Sequence, residues 1–169
     1  MQTVRIPEDR VSVLIGREGQ TKRDLESRSK TRITIAETEV TVEGDPVMEW
    51  KMKDIVHAIG RGFAPDKARQ LLKDDYVFDL IELGEIASSP RNLMRVRGRV
   101  IGEKGRTRRF IERNTNTLLS VYGKTIGIIG SFNDVALARE AVSMLVNGAK
   151  HSTVYRMLEK RVINKRIEV

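Results

Sequence analysis

Apolar residues switch between a period of two and a period near 3.6 several times along this chain, and each switch marks an element. Val4 and Ile6 alternate with polar neighbours, so Gln2–Ile6 reads as a short strand, while Glu8–Leu14 and Gln20–Ser29 carry helical spacing on either side of a glycine turn. Thr31–Ile35 and Glu39–Val42 alternate around a tight connection and predict a hairpin. Asp45 as N-cap and Pro46 at the first helical position open a helix that runs to about Ile59 and stops at Gly60-Arg61-Gly62. A short helix over Asp66–Leu72 and the polar run Lys73-Asp74-Asp75 lead into a strand over Tyr76–Leu83. The order then recurs. A helix starts at Ser88-Ser89-Pro90 and runs through Val100, a second spans Arg106–Asn114, and Leu118–Tyr122 pairs with Thr125–Ile129 as a hairpin turning at Gly123-Lys124. A capping box of Ser131 and Asp134 starts the last helix, with Val135, Ala138, Val142 and Leu145 on one face and Gly148 as its C-cap.

The recurrence is literal. Ile15-Gly16-Arg17-Glu18-Gly19 returns 86 residues later as Ile101-Gly102-Glu103-Lys104-Gly105, and without a gap Ile33 meets Leu119, Ile35 meets Val121, Gly44 meets Gly130 and Gly62 meets Gly148. Twice that spacing nearly fills the 169 residues and predicts two domains, 1–74 and 75–169, each with a modest core. The element order, strand, helix, Gly-x-x-Gly, helix, strand, strand, helix, resembles the type I KH domain. The expected fold class is α+β: two tandem type I KH domains, each a three-stranded sheet packed against three helices, plus a short extra C-terminal helix per repeat. RNA-recognition-motif folds stack bases on sheet aromatics, and the 5% aromatic content disfavours them.

KH loops clamp the backbone of single-stranded nucleic acid, and the loop sequence fits that chemistry. A phosphate must approach main-chain N–H groups closely, which glycines at both ends of the turn permit, and the helix beyond the loop turns its positive end toward the anion. Arg17 and Lys104 add charge, while Ile15, Leu25, Ile101 and Ile111 are expected to line an apolar floor for about four unstacked bases. The net charge of +8 favours a polyanionic partner. It is unevenly spread: Arg91–Arg113 holds nine Lys and Arg against two acids, whereas Arg5–Arg32 holds eight against five. Arg91, Arg95 and Arg99, four apart on one helical face, repel one another and suit a polyanion laid over them. The second copy is therefore the stronger electrostatic site. In the first, Lys22, Arg23 and Arg28 are mixed with Asp24 and Glu26, which leaves RNA contact at Gly16, Arg17, Glu18, Gly19, Lys22 and Arg23 and a protein-facing role both open.

Other chemistries find little support. The chain has no cysteine, which excludes disulfides, thiolate metal sites and cysteine nucleophiles. Gly123-Lys124-Thr125 echoes the end of a phosphate-binding loop, but Leu118 stands where the first glycine belongs. His57 and His151 are unsupported by other candidate ligands or bases, and Trp50 fits a core or domain-interface anchor better than a base-stacking platform. No apolar run approaches a membrane span of about 20 residues, and Met1–Arg10 lacks a signal-peptide core. The expectation is a monomeric, cytoplasmic, non-enzymatic protein without cofactor, metal or membrane.

Longer motifs carry a narrower resemblance. Gly98-Arg99-Val100-Ile101-Gly102, Arg106-Thr107-Arg108-Arg109, Ser120-Val121-Tyr122-Gly123-Lys124-Thr125 and Asn147-Gly148-Ala149, with Ile59-Gly60-Arg61-Gly62-Phe63 in the first half, resemble the archaeal partner-of-Nob family of double KH-domain ribosome assembly factors. The resemblance implies a protein that binds single-stranded RNA near the 3′ end of pre-16S rRNA, on the assembling small ribosomal subunit, beside the maturation endonuclease Nob. It implies an RNA site at Gly102, Glu103, Lys104 and Gly105 with Arg99, Arg106, Arg108 and Arg109. Glu103 departs from the family, which has a basic residue directly after the first glycine, and Lys22 and Arg108 replace an aliphatic residue usual in KH domains. A general regulator of messenger RNA, and an adaptor whose first KH domain docks a protein, remain as alternatives.

Overall fold

The computed structural model describes residues 1–168. The chain divides into two compact units, Met1–Phe78 and the stretch from Asp79 on. In the first, β1 (Gln2–Arg5), β2 (Arg32–Ala36) and β3 (Glu39–Glu43) form an antiparallel sheet in the order β1-β3-β2, against which pack α1 (Glu8–Ile15), α2 (Gln20–Ser29) and α3 (Pro46–Gly60). A short α4 (Pro65–Ala68) and a 3-10 turn (Arg69–Leu72) follow. The second sheet has the order β4-β6-β5, from β4 (Tyr76–Glu82), β5 (Leu118–Tyr122) and β6 (Thr125–Ser131), and is covered by α5 (Pro90–Ile101), α6 (Arg106–Thr115) and α7 (Phe132–Val146). This is the type I KH arrangement twice over.

The 86-residue repeat survives at the level of single side chains. Leu14, Leu25, Ile33, Val40, Val42 and Ile59 fill the first core, and their counterparts Val100, Ile111, Leu119, Ile126, Ile128 and Leu145 fill the second, all almost fully buried. Each such side chain contributes about 1.5–3 kcal/mol by leaving water. Buried hydroxyls repeat as well. Ser29 Oγ donates to Leu25 O at 2.8 Å and meets Thr31 Oγ1 at 2.6 Å, and Thr115 Oγ1 donates to Ile111 O at 2.7 Å and meets Thr117 Oγ1 at 2.7 Å, so neither pair is left unsatisfied.

Three expectations change. Asp45 caps α3 through Val47 N–H (3.1 Å) and Met48 N–H (3.4 Å), as its position before Pro46 predicts, but Ser131 makes no side-chain cap and Asp134 instead pairs with Lys165 at 3.0 Å. The extra helix of the second half is long. α8 (His151–Ile167) has 17 residues, of which only Val154 and Leu158 are buried, too thin an apolar stripe to stand out among its charges. Trp50 lies on the outer surface of α3, 56% exposed, with Lys53 Nζ 4.7 Å from its ring centroid.

Candidate nucleic-acid interface

Each glycine loop joins two helices through a backbone that only certain residues allow. A Cβ on Gly16 (φ 74°) would lie 2.1 Å from Thr21 Oγ1, and one on Gly102 (φ 74°) 2.2 Å from Thr107 Oγ1, so both conformation and space require glycine. Glu18 and Lys104 hold left-handed conformations at φ 54° and 53°, a strain of about 1–3 kcal/mol for a residue with a side chain. Gly102 N–H donates to Gly98 O (2.8 Å) and Gly105 N–H to Gly102 O (3.2 Å). The N–H groups of Glu103 and Lys104 take no part in these bonds, and both residues are exposed, which presents successive main-chain donors to an anion. Arg23 Nη1 lies 3.0 Å, and Arg109 Nη1 2.9 Å, from where a Cβ of Gly19 or Gly105 would stand, so a guanidinium covers the end of each loop.

The groove beside the loop is narrower in apolar surface than the sequence suggests. Ile15 and Ile101 reach solvent, but Leu25 and Ile111 are fully buried and cannot touch a base. Lys22 pairs with Glu26 (3.2 Å) while Glu26 Oε1 accepts the N–H of Ile33 (2.8 Å) on the edge strand β2. The second unit repeats this latch: Arg108 pairs with Glu112 (3.1 Å), whose Oε1 accepts the N–H of Leu119 (2.9 Å) on β5. Arg108 thus faces the groove-side strand with its charge partly answered.

Arg99 has a different role from the one its position suggests. Its Nε donates to Leu145 O at 3.0 Å and its Nη2 to Ala149 O, and the ring of His151 meets Arg99 O at 2.8 Å, so this guanidinium fastens α5 to the end of α7. The first unit makes the same clasp from Arg10, which donates to Ile59 O (2.8 Å) and Phe63 O (2.9 Å). A residue the sequence did not single out shares the helix face of Ile101. Arg97 stands one helical turn before Ile101, is only partly exposed, and its Nε is buried with no hydrogen-bond partner. Its position four residues before Ile101 is the signal that could have found it.

α8 buttresses the second loop from behind. Tyr155 OH meets Thr107 Oγ1 at 2.9 Å and its ring stacks on Phe110, centroids 4.1 Å apart and planes tilted by 32°. The side chain that fills the space against Gly102 is therefore itself held. Around the loop, Arg106 and Arg109 are exposed and have no acidic partner among the described residues, as do Arg91 and Arg95 along α5. Among the described residues no group of three or more His, Cys, Asp or Glu is placed to hold a metal ion, and no helix is long and apolar enough to cross a membrane.

Comparison with known proteins agrees with this geometry. Residues 1–58 match the KH domain family model, and residues 77–162 match the model of the eukaryotic type KH domain, KH-domain type I. A KH domain-containing protein of Methanocaldococcus jannaschii is 43% identical over 95% of this chain and 73% of its own length. The pre-rRNA-processing protein PNO1 of Chaetomium thermophilum is 35% identical over 68% of this chain, which spans 45% of that longer relative. Among solved structures, Dim2p of Pyrococcus horikoshii, in a complex with a/eIF2alpha and rRNA, superposes with a TM-score of 0.90 at 45% identity, covering 96% of this chain and 94% of that one.

Proposed function

The chain belongs to the PNO1/Dim2 family of double type I KH-domain proteins, and we propose that it binds single-stranded pre-16S rRNA near its 3′ end and positions it for maturation. The second unit holds the strand: phosphates sit on the N–H groups of Glu103 and Lys104 at the start of α6, Lys104 and Arg109 answer their charge, and bases rest on Ile101 beside Arg97. The observation that carries this reading is the left-handed Lys104 between two glycines, which places a cation and exposed main chain at the same turn. The Pyrococcus relative solved with rRNA supports it. The protein acts by positioning, without chemistry of its own, on the assembling small subunit in the cytoplasm and beside the maturation nuclease. A protein-docking role for the first unit is the second reading, favoured because Asp24 and Glu26 answer the cations of α2.

Fluorescence-anisotropy titration with the pre-16S 3′ segment and with a scrambled strand tests the proposal. The expected result is selective binding whose log affinity falls with log salt at a slope near −3.5, for about five phosphates neutralised on a single strand. Equal, weak binding to both strands, or a flat salt response, would overturn it.

A further inference from the structure

We infer that the RNA surface of the second unit extends past the groove, over the outer face of α6, to a nucleotide-sized cavity between α6, α7 and α8. The inference rests on the RNA-binding reading above and adds a site to it. At about 100° per residue, Arg106, Arg109 and Arg113 fall within a stripe about 60° wide. All three are exposed, and the stripe lies on the side of the helix opposite its buried residues Thr107, Ile111 and Thr115. It begins at the glycine loop and ends, about 10 Å along the axis, at the cavity.

That cavity has a volume near 410 Å³, within the range of about 300–1,000 Å³ usual for small-ligand sites. Leu137 and Val162 supply apolar lining, Asn116 and Asn114, whose Nδ2 donates to Phe110 O at 2.8 Å, supply amides, and Arg113, Arg161, Lys165 and Arg166 surround it with positive charge against the one carboxylate, Asp134, in the lining. Lys165 is paired with Asp134 at 3.0 Å and Arg161 reaches Glu140 at 3.4 Å, but among the described residues no carboxylate pairs with Arg113 or Arg166. Arg161 also borders a second groove with Arg156 and Lys160, so the positive surface continues along α8. An apolar floor under amides and cations matches one nucleotide: a flat base below, a phosphate at the rim. Continuity with the loop through the α6 stripe favours an RNA strand over an acidic peptide. The competing explanation is that Arg113, Lys165 and Arg166 only offset the negative ends of α6 and α8.

The test uses the full chain and two strands of common sequence, one of about four nucleotides that fills the groove and one extended to about twelve. The extended strand is expected to bind about tenfold more tightly and with a salt slope steeper by about 1.4, for two further phosphates at the single-strand coefficient. Arg113→Ala with Arg166→Ala should erase both differences, leave the short strand unaffected, and be rescued in slope by lysine at both positions. If the extended strand gains nothing in the wild type, or keeps its advantage in the double variant, the inference is overturned and the cations serve helix ends or an acidic peptide. If the short strand itself fails to bind, the RNA-binding reading falls, and this extension with it.

Discussion

At the third position of the glycine loop, Glu18 of the first unit and Lys104 of the second hold the same left-handed backbone, and the residues before them, Arg17 and Glu103, reverse the order of charge. Both loops are neutral in sum, so what differs is which sign occupies the strained, exposed position. The helices beyond magnify the difference. Where α6 carries Arg106, Arg109 and Arg113 on its outer stripe, α2 carries Gln20, Arg23 and Ser27. Where α6 has Phe110 stacked on Tyr155, α2 has Asp24, which a hydrogen bond from Arg28, and a further one from Arg69, holds below the usual carboxylate range. The bonds that shape the loop, Gly against Thr and Lys or Arg to Glu to the edge strand, are common to both. Duplication has kept the scaffold and moved the charge.

The sharpest way to break this comparison is to exchange the third loop residues. Lys104→Glu should weaken RNA binding at least tenfold, the loss of a charge-assisted contact worth about 1.5–3 kcal/mol, while Glu18→Lys should change affinity far less. Comparable effects of the two substitutions in an anisotropy titration would remove the ranking of the units. Next in size is Arg97, whose counterpart is Val11. Arg97→Val should cost about fivefold in affinity and narrow the gap between cognate and scrambled strands, because a cation at the groove is lost without disturbing a bond. An unchanged ratio between the strands would place Arg97 outside the groove.

A smaller effect separates loop support from loop charge. Tyr155→Phe removes one neutral hydrogen bond, worth about 1 kcal/mol, and should speed amide exchange at Gly102–Gly105 while exchange at Gly16–Gly19 stays as it was. Exchange unaltered in both loops would mean that the Tyr155 hydroxyl does not support the loop through Thr107. Smallest of all, Asp24→Asn should release Arg28 and Arg69 and raise RNA affinity about twofold, the scale of an exposed ion pair. Because the folded carboxyl is lowered, its stabilising contribution is present above the ordinary aspartate pKa and is lost as pH falls through the folded value. The variant and wild type should therefore converge in stability under acid; a gap that widens there would contradict the pairing.

Much of the scaffold was legible because periodicity and caps act locally. Gln20–Ser29 and Leu118–Tyr122 have the bounds their patterns predict, and Asp45-Pro46 starts its helix as expected. The site was legible in kind but not in detail. Helical spacing puts Arg91, Arg95 and Arg99 on one face, yet it cannot say that Arg99 lies over the carbonyls ending α7, a contact 46 and 50 residues away in sequence. Nor does a pattern of apolar residues distinguish Ile101, at the rim, from Ile111, sealed in the core, since both read as aliphatic residues beside the loop. α8 was expected as a short helix, and its full length escaped because two buried residues in 17 leave little period to see.

The two arginine clasps have a consequence for how such duplicated proteins are compared. Aligned at the repeat, Arg10 faces Val96 and Arg99 faces Val13, so a column-by-column comparison scores two unrelated arginines and two losses. Yet the acceptors, Ile59 and Phe63 in one half and Leu145 and Ala149 in the other, are the same pair of carbonyls 86 residues apart. Ancestry is written here in the oxygen atoms that are met, one helical turn away from where the letters would look for it.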